Sequence, residues 1–412
     1  MRTLALFAAL ALTACAPTDS MNSDTGSLDQ VDPMTLGDSR LTDFYVFDGP
    51  VTAEPGTLLR QEYLGERQSN PGAAQNFRLL YSSTDGIDGE GTLAVSGVLF
   101  LPEGEPPAGG WPLYAWTHGT VGIADICAPS WDGRQQQDKD HLEFWLSNGF
   151  AVVASDYQGL GTPGTHPYLA TRPEAYSNLD IIRAVQSSDF PVSDRVILAG
   201  QSQGAGAAVA TAAYAEQYAP DVDIAGVVAT GVPFFSAEAL VALQESRPPD
   251  RIDPMLAYNF LALSLIQRTD PSFKLSEYVN EDVLPIAESV RTTCHKYVRA
   301  RVAKEELTYN RAFSQSPSEK LTAAFSLMEF PSLKFSTPMF VGTGGKDRDT
   351  PLRMQAAFVK RACQAGSTIT ARLYPHLDHK AVVPGSTTDS LQFVNAAFAG
   401  ERLQGNCDNL PY

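Results

Sequence analysis

The pentapeptide GQSQG at Gly200–Gly204, in the middle of the chain, is the sequence feature that most constrains the fold. An apolar, β-branched run precedes it at residues 195–199, and a run of small residues rich in alanine follows it at residues 205–214. Neither run contains proline, so the first favours a buried strand and the second a helix. A strained strand-to-helix turn needs small neighbours. The pattern therefore predicts that Ser202 stands at such a turn.

Chain length limits the number of domains, and charge limits the classes of partner. With 412 residues, the chain is long enough for one large domain with an insertion, or for two ordinary domains. Its 47 acidic and 30 basic residues give a formal net charge of −17, which repels nucleic acids and anionic lipid surfaces. We therefore expect neutral substrates and no nucleic-acid partner, although a soluble surface alone also accounts for the acidity.

Strand and helix patterns alternate along most of the chain. Strand patterns occupy residues 77–83, 92–101, 112–117, 150–155, 195–199, 224–231, 338–342 and 367–374. Helix patterns occupy residues 138–148, 174–187, 203–218, 351–365 and 389–398. The first two strands read as an antiparallel hairpin. The later alternation predicts an α/β fold with a mostly parallel, doubly wound sheet.

The alternation stops between residues 236 and 332. This stretch has no strand pattern, and its leucine-rich and charged helical segments are interrupted by prolines. A helical insertion between two strands predicts a cap or lid, although a second packed domain without a gating role fits the same pattern. We therefore expect a core built from residues 41–235 and 333–412, with a helical cap at 236–332.

Ser202 needs a base to take its proton and a carboxylate to orient that base. In α/β-hydrolases, the chain order is serine, then aspartate or glutamate, then histidine. We expect Asp347, in the loop after a late strand, to be the acid, and His379, after the next strand, to be the base. Asp349 is the alternative acid but stands where it would cap the following helix. His376 is the alternative base.

Backbone N–H donors are needed for the oxyanion of a tetrahedral intermediate, and each is worth about 3 to 4 kcal/mol. Gln203 follows the serine and supplies one N–H group. The second is expected from the loop after the strand at 112–117, which carries His118, Gly119 and Thr120. We expect Thr120 to be this donor, with Gly119 as the alternative and His118 as a structural residue of the loop.

The N-terminal residues have the features of an export signal. The apolar run at 4–12 is too short to span a bilayer, and the sequence LTAC that ends at Cys15 resembles the lipobox of bacterial lipoproteins. Residues 1–15 thus read as a lipoprotein signal peptide with its lipobox, which implies cleavage before Cys15 and lipidation of that cysteine. Because Ala16 follows, it also implies a place at the outer membrane or cell surface. An ordinary secretory signal with a soluble secreted or periplasmic product is the alternative. Residues 16–40 read as an acidic flexible tether.

The other four cysteines form an even set, as expected for disulfides in an oxidising compartment. They allow three pairings. We favour Cys363 with Cys407, which flank the last helix, and Cys127 with Cys294, which would tie the cap to the core.

No cofactor or metal ion is expected from the sequence. The spacing of cysteines and histidines does not indicate a metal site. Residues 159–164 match G-x-G-x-x-G, the signature of dinucleotide binding, but they contain a proline and no helix pattern begins after them. We interpret this segment as a rigid loop beside the pocket.

Four motifs taken together resemble the secretory lipase family of the α/β-hydrolase fold. They are ADICAPS at 124–130, DYQGLGT at 156–162, HPY at 166–168 and the pentapeptide around Ser202. The resemblance covers roughly residues 60 to 410. It implies a helical cap inserted before the strand that carries the acid.

The resemblance also implies a carboxylic ester hydrolase that acts through an acyl-enzyme on neutral small-molecule or lipid esters, including acylglycerols. Ser202, Asp347 and His379 would be its triad. Gln201 departs from the family, in which histidine or tyrosine is common, and Ala205 replaces a frequent glycine. A serine peptidase, an acyltransferase and a non-catalytic binding lipoprotein are the alternatives. We expect a monomer that contacts a membrane only through its lipid anchor.

Overall fold

The computed structural model describes residues 41–47, 49–236 and 247–412. The predicted signal peptide, Cys15 and the tether at 16–40 lie outside these residues. The strands are β1 (Leu58–Tyr63), β2 (Gln75–Thr84), β3 (Thr92–Leu101), β4 (Trp111–Thr117), β5 (Ala151–Ser155), β6 (Val192–Gln201), β7 (Asp223–Thr230), β8 (Met339–Gly344) and β9 (Ile369–Tyr374). The helices are α1 (Pro129–Asp132), α2 (Gln136–Ser147), α3 (Thr171–Gln186), α4 (Gln203–Tyr218), α5 (Leu256–Thr269), α6 (Leu284–Glu288), α7 (His295–Lys304), α8 (Tyr309–Ala312), α9 (Ser318–Leu327), α10 (Leu352–Gln364), α11 (Val382–Gly385) and α12 (Thr387–Phe398).

The strands form one sheet in the order β1-β2-β3-β5-β4-β6-β7-β8-β9. Pairing is antiparallel from β1 to β3 and between β3 and β5, and parallel from β5 across to β9. The predicted α/β fold with a mostly parallel sheet is confirmed. Because β6 lies in the middle of the parallel part, its carboxyl end meets the carboxyl ends of its neighbours at one edge, where ligands bind in open α/β sheets.

Helices cover both faces of the sheet, as a parallel sheet requires. On one face, Leu179 of α3, Val209 of α4 and Phe358 of α10 belong to one buried apolar cluster. On the other face, Trp145 of α2 and Phe393 of α12 belong to another. The buried sheet fixes the loops at the carboxyl edge, which carry the predicted site residues.

Strand β1 was not predicted from the sequence. Its sequence LLRQEY ends in three exposed residues, and it pairs only with β2 at the edge of the sheet. An edge strand is partly solvated and has no strict alternation of apolar and polar residues. Tertiary pairing therefore decides its conformation.

Residues 247–332 fold as helices, and this part of the predicted insertion contains no strand. Its extended segments form two isolated antiparallel bridges, Ile252 with Thr308 and Val279 with Phe313. The helices share an apolar cluster of their own, into which Ile123 from the loop after β4 also packs. The insertion thus has its own core and still packs against the sheet domain.

Two disulfides join the pairs favoured from the sequence. Cys127 is bonded to Cys294 with a Cα–Cα distance of 5.4 Å, and Cys363 to Cys407 with 5.5 Å. Because Cys294 precedes α7, the first disulfide links the helical insertion to the segment after β4. The second ties the C-terminal segment to the end of α10.

Candidate active site

Ser202 lies at the strand-to-helix turn that the pentapeptide predicts. Strand β6 ends at Gln201 and α4 begins at Gln203, and Ser202 between them has φ 59° and ψ −125°. A Cβ on Gly200 would lie 2.1 Å from Oγ1 of Thr117, and one on Gly204 only 1.9 Å from the Thr117 carbonyl oxygen. Both glycines are therefore required for packing. Positive φ at a serine costs about 1–3 kcal/mol and is a mark of functional sites.

Asp347 and His379 meet at the carboxyl edge of the sheet. Asp347 lies in the loop after β8, and His379 in the loop after β9, and both are buried. The Nδ1 atom of His379 is 2.7 Å from Oδ2 of Asp347. A carboxylate oxygen accepts, so Nδ1 carries the proton and Nε2 is left with a lone pair. This is the tautomer that a general base needs.

Asp347 is fixed by several further donors. Its Oδ1 accepts hydrogen bonds from the backbone N–H groups of Asp349 and Thr350, both at 2.9 Å. Its Oδ2 accepts from the Thr350 hydroxyl at 2.9 Å and from Nε2 of Gln355 at 3.1 Å. These bonds leave the carboxylate one orientation toward the imidazole of His379.

The two alternative residues lie elsewhere. His376 is exposed, so it is not the histidine that pairs with Asp347. Asp349 was expected to cap the helix after it, and this is wrong, because α10 has no side-chain cap at its N-terminus. Its carboxylate instead accepts from Arg299 at 3.2 Å and from the Tyr258 hydroxyl at 3.3 Å. Arginine and tyrosine of the insertion compete more strongly for this carboxylate than a helix end does.

Contacts on both sides of the serine hold His379 beside the turn. Nε2 of Gln201 donates to the His379 carbonyl oxygen at 3.0 Å. The Ser202 N–H donates to the Thr230 carbonyl at 3.0 Å. The next residue, Gly231, has φ 66°, and a Cβ there would lie 2.9 Å from Cε1 of His379. The backbone that anchors the serine thus also packs against the imidazole.

Two of the expected oxyanion donors, Gln203 and Thr120, line a cavity together with Ser202. Gln203 is the first residue of α4, so its N–H has no acceptor within the helix. Thr120 lines the cavity with Ser202 and Gln203, and its hydroxyl is 2.8 Å from that of Tyr168. Gly119 packs against the turn, and a Cβ there would lie 3.7 Å from that of Ser202.

His118 has the environment of a structural residue. It is buried and stacks on Tyr157 at 4.3 Å, and its Nδ1 is 2.8 Å from the Gly119 carbonyl oxygen. Burial lowers the pKa of His118 to about 4, so the ring is neutral near pH 7.

A cavity of about 110 Å³ opens onto Ser202 and Gln203. Helices α5 and α9 of the insertion supply much of its apolar wall. The apolar side chains that line it include Met255, Ala262, Leu321, Phe325, Met328 and Met354. A mostly apolar cavity with a few polar groups at one end is typical of a small-molecule site.

The described residues contain neither a candidate metal site nor a candidate membrane span. Among residues 41–47, 49–236 and 247–412, no three histidine, cysteine or acidic side chains could hold a metal ion. In the same stretches, no helix has the length and apolar character needed to cross a bilayer.

Comparison with known families decides the class of protein. A model of the secretory lipase family matches residues 134–406, which is more than half of the chain. The chain belongs to the secretory lipase family. It is therefore an exported carboxylic ester hydrolase, and the family resemblance inferred from the sequence is confirmed.

Relatives of known structure share the fold of this family member. Candida antarctica lipase A superposes with a TM-score of 0.70 at 23% identity, over 87% of this chain and 85% of its own. The rice cell wall degrading esterase LipA from Xanthomonas oryzae gives 0.64 at 21%, over 85% and 100%. A relative matched by sequence, Lipase A from Moesziomyces aphidis, is 24% identical over 394 residues, covering 86% of this chain and 80% of the relative.

The residues that contact Asp347 and Thr120 are not indicated by any pattern in the sequence. Thr350 lies just before α10 and Gln355 in its first turn, a stretch for which the sequence pattern predicts only a helix. Tyr168 belongs to a motif that was recognised without a role. The distances between these side chains depend on loop packing, which local patterns do not encode.

Proposed function

We propose that this hydrolase acts through Ser202, His379 and Asp347. Nε2 of His379 takes the proton from Oγ of Ser202 as that oxygen attacks the ester carbonyl carbon. The N–H of Gln203 and a donor from Thr120 stabilise the oxyanion. The intermediate expels the alcohol, which takes the proton from His379, and leaves an acyl-serine. Water then repeats the sequence and releases the acid.

The contact between Asp347 and His379 is the observation that carries this proposal. At 2.7 Å it fixes the tautomer that leaves Nε2 as the acceptor. Gln201, the neighbour of Ser202, bonds to the His379 backbone, and Gly231 packs against its ring, which supports a position of His379 near the serine turn. A binding lipoprotein without catalysis has no need of a strained serine and a buried, oriented histidine in the same place.

We assign the described part of 236–332 as a cap over the acyl pocket. It supplies most of the apolar side chains of the cavity, and the Cys127–Cys294 disulfide ties it to the core. We further propose lipid attachment at Cys15, on the strength of the lipobox. Among the described residues, the large exposed hydrophobic side chains are Tyr63, Ile252 and Tyr297, and so few favour a monomer.

The size of the cavity favours short acyl chains. A dry protein cavity of roughly 150 Å³ accepts a benzene ring, so about 110 Å³ accommodates a short alkyl chain. Each buried methylene contributes about 0.8 kcal/mol, which is close to a fourfold gain in kcat/KM. We expect kcat/KM for p-nitrophenyl esters to rise from acetate to about butyrate or hexanoate and then to fall.

Two substitutions of alanine by leucine on the insertion test this pocket. Ala262→Leu on α5 should fill the cavity and lower kcat/KM for the hexanoate ester about tenfold, with an effect below about threefold on the acetate. Ala323→Leu, at an exposed position on α9, is the matched control and should leave the profile as it is. A profile that keeps rising to palmitate, or identical profiles for both variants, would contradict the assignment.

A further inference from the structure

A buried polar cluster lies behind the proposed oxyanion hole. Nε2 of Gln203 donates to Oε1 of Glu174 at 2.7 Å and lies 3.2 Å from Nε2 of His166. All three side chains are at least 98% buried. Gln203, whose backbone N–H is the proposed oxyanion donor, is therefore anchored through its side chain to two titratable groups that take no part in the proton transfers of the triad.

The hydrogen-bond pattern assigns the protons in this cluster. Nδ1 of His166 is 3.0 Å from the carbonyl oxygen of Gln158, which can only accept, so Nδ1 carries the proton. Nε2 of His166 then accepts one hydrogen of the Gln203 amide, while Glu174 accepts the other. Burial lowers the pKa of His166 to about 4, so the imidazole is neutral and this pattern holds at neutral pH.

The loop that carries His166 also reaches the second expected donor. Two residues further on, the Tyr168 hydroxyl lies 2.8 Å from Oγ1 of Thr120. Leu169 has φ 62°, a conformation that is strained for leucine, and its backbone hydrogen-bonds to Glu174. One loop and one carboxyl group therefore contact both sides of the proposed oxyanion hole.

The strain at Ser202 gives this cluster a physical purpose. A residue with positive φ keeps its conformation only when its surroundings fix it, and Gln203 is the residue that determines the next peptide plane. Two buried hydrogen bonds to its side chain contribute this restraint. Burial raises the pKa of Glu174 to about 8, so near pH 7 the group is mostly neutral and places no full negative charge behind the oxyanion.

We propose that Glu174 and His166 are positioning residues of the oxyanion hole, which hold the N–H of Gln203 on the substrate while Tyr168 holds Thr120. The inference rests on the proposed function, because it presupposes that Ser202 forms the tetrahedral intermediate. It assigns a role in the reaction to a buried acid and a buried imidazole outside the triad.

Substitutions of Glu174 test the proposal. Glu174→Leu removes the acceptor and should lower kcat by about 10- to 100-fold, somewhat less than the loss of a whole donor. KM should change by less than about threefold, because the donor acts mainly in the transition state. Glu174→Gln keeps an acceptor oxygen in a side chain of the same shape and should retain kcat within about threefold. A trifluoromethyl ketone, which forms a tetrahedral adduct with a serine, should lose affinity for Glu174→Leu by the same factor as kcat/KM.

Asp180→Leu is the matched control. Asp180 is a fully buried carboxyl on the same helix, and it bonds to Ser83 and Tyr218, away from the cavity. The Tm of this variant should be lower than that of the wild type, while kcat of the folded enzyme should be unchanged. Equal losses of kcat in Glu174→Leu and Asp180→Leu, or an unchanged affinity of Glu174→Leu for the ketone, would overturn the inference. Titration of the wild type with an organophosphonate is done first, because failure to react would instead overturn the role of Ser202.

Discussion

Replacement of Ser202 by alanine is expected to lower kcat for p-nitrophenyl butyrate by at least about 10⁴-fold. The hydroxyl is the group that would form the acyl-enzyme, and alanine has none. Alanine fits the space, so the fold should survive and only the reaction should be lost. Initial rates at saturating ester, together with a thermal melt, measure both quantities.

Ser193→Ala provides the control for this experiment. Ser193 lies at the start of the same strand, far from its carboxyl edge, and it bonds to the backbone of Arg195. Its loss should leave kcat within about twofold of the wild type, as is usual for substitutions away from a site. If Ser202→Ala kept a tenth or more of the wild-type kcat, another nucleophile would have to be sought.

Asp347→Asn is the second large effect, with an expected fall in kcat of about 10⁴-fold. The asparagine amide would present a donor where Nδ1 of His379 now donates at 2.7 Å, so the imidazole would turn or adopt the other tautomer. Nε2 would then carry a proton and could not take one from Ser202. Rates measured from pH 6 to 10 should show the loss at every pH, because it arises from the tautomer and not from a shifted titration.

The same substitution at Asp349 separates the two candidate acids. The Asp349 carboxylate binds Arg299 and Tyr258 of the cap, so Asp349→Asn should cost less than about tenfold in kcat. The two variants differ by two positions in one loop and introduce the same chemical change. A larger loss for Asp349→Asn than for Asp347→Asn would reverse the assignment of the acid.

The features predicted correctly from the sequence are those set by local pattern and chain order. Gly200 and Gly204 lie so close to Thr117 that neither position has room for a Cβ. Because the turn requires these glycines, the pentapeptide could be recognised in the sequence. The alternation of strands and helices likewise predicted the sheet, because buried parallel strands are continuous apolar runs. Chain order also predicted that Asp347 and His379 lie in loops after two late strands, and their side chains meet there at 2.7 Å. Their catalytic roles stay a prediction.

The features that were missed depend on contacts between distant segments. The carboxylate of Asp349 is bound by an arginine 50 positions earlier in the chain, and the amide of Gln203 is bound by Glu174, 29 positions away. Neither partner is implied by local spacing. Asp349 before a helix resembles a cap, and Glu174 near the start of α3 resembles an ordinary acidic first turn. Tertiary packing therefore decides the partners of both carboxyl groups.

Reaction with a fluorophosphonate ester, followed by mass spectrometry of the digested protein, tests the catalytic assignment most directly. The reagent bonds covalently to a serine whose hydroxyl is activated by a base. We predict one phosphonyl group per chain on the peptide that contains Ser202, and labelling slowed by at least about 100-fold in His379→Ala. A label on any other residue, or equal labelling rates in the wild type and His379→Ala, would contradict the account.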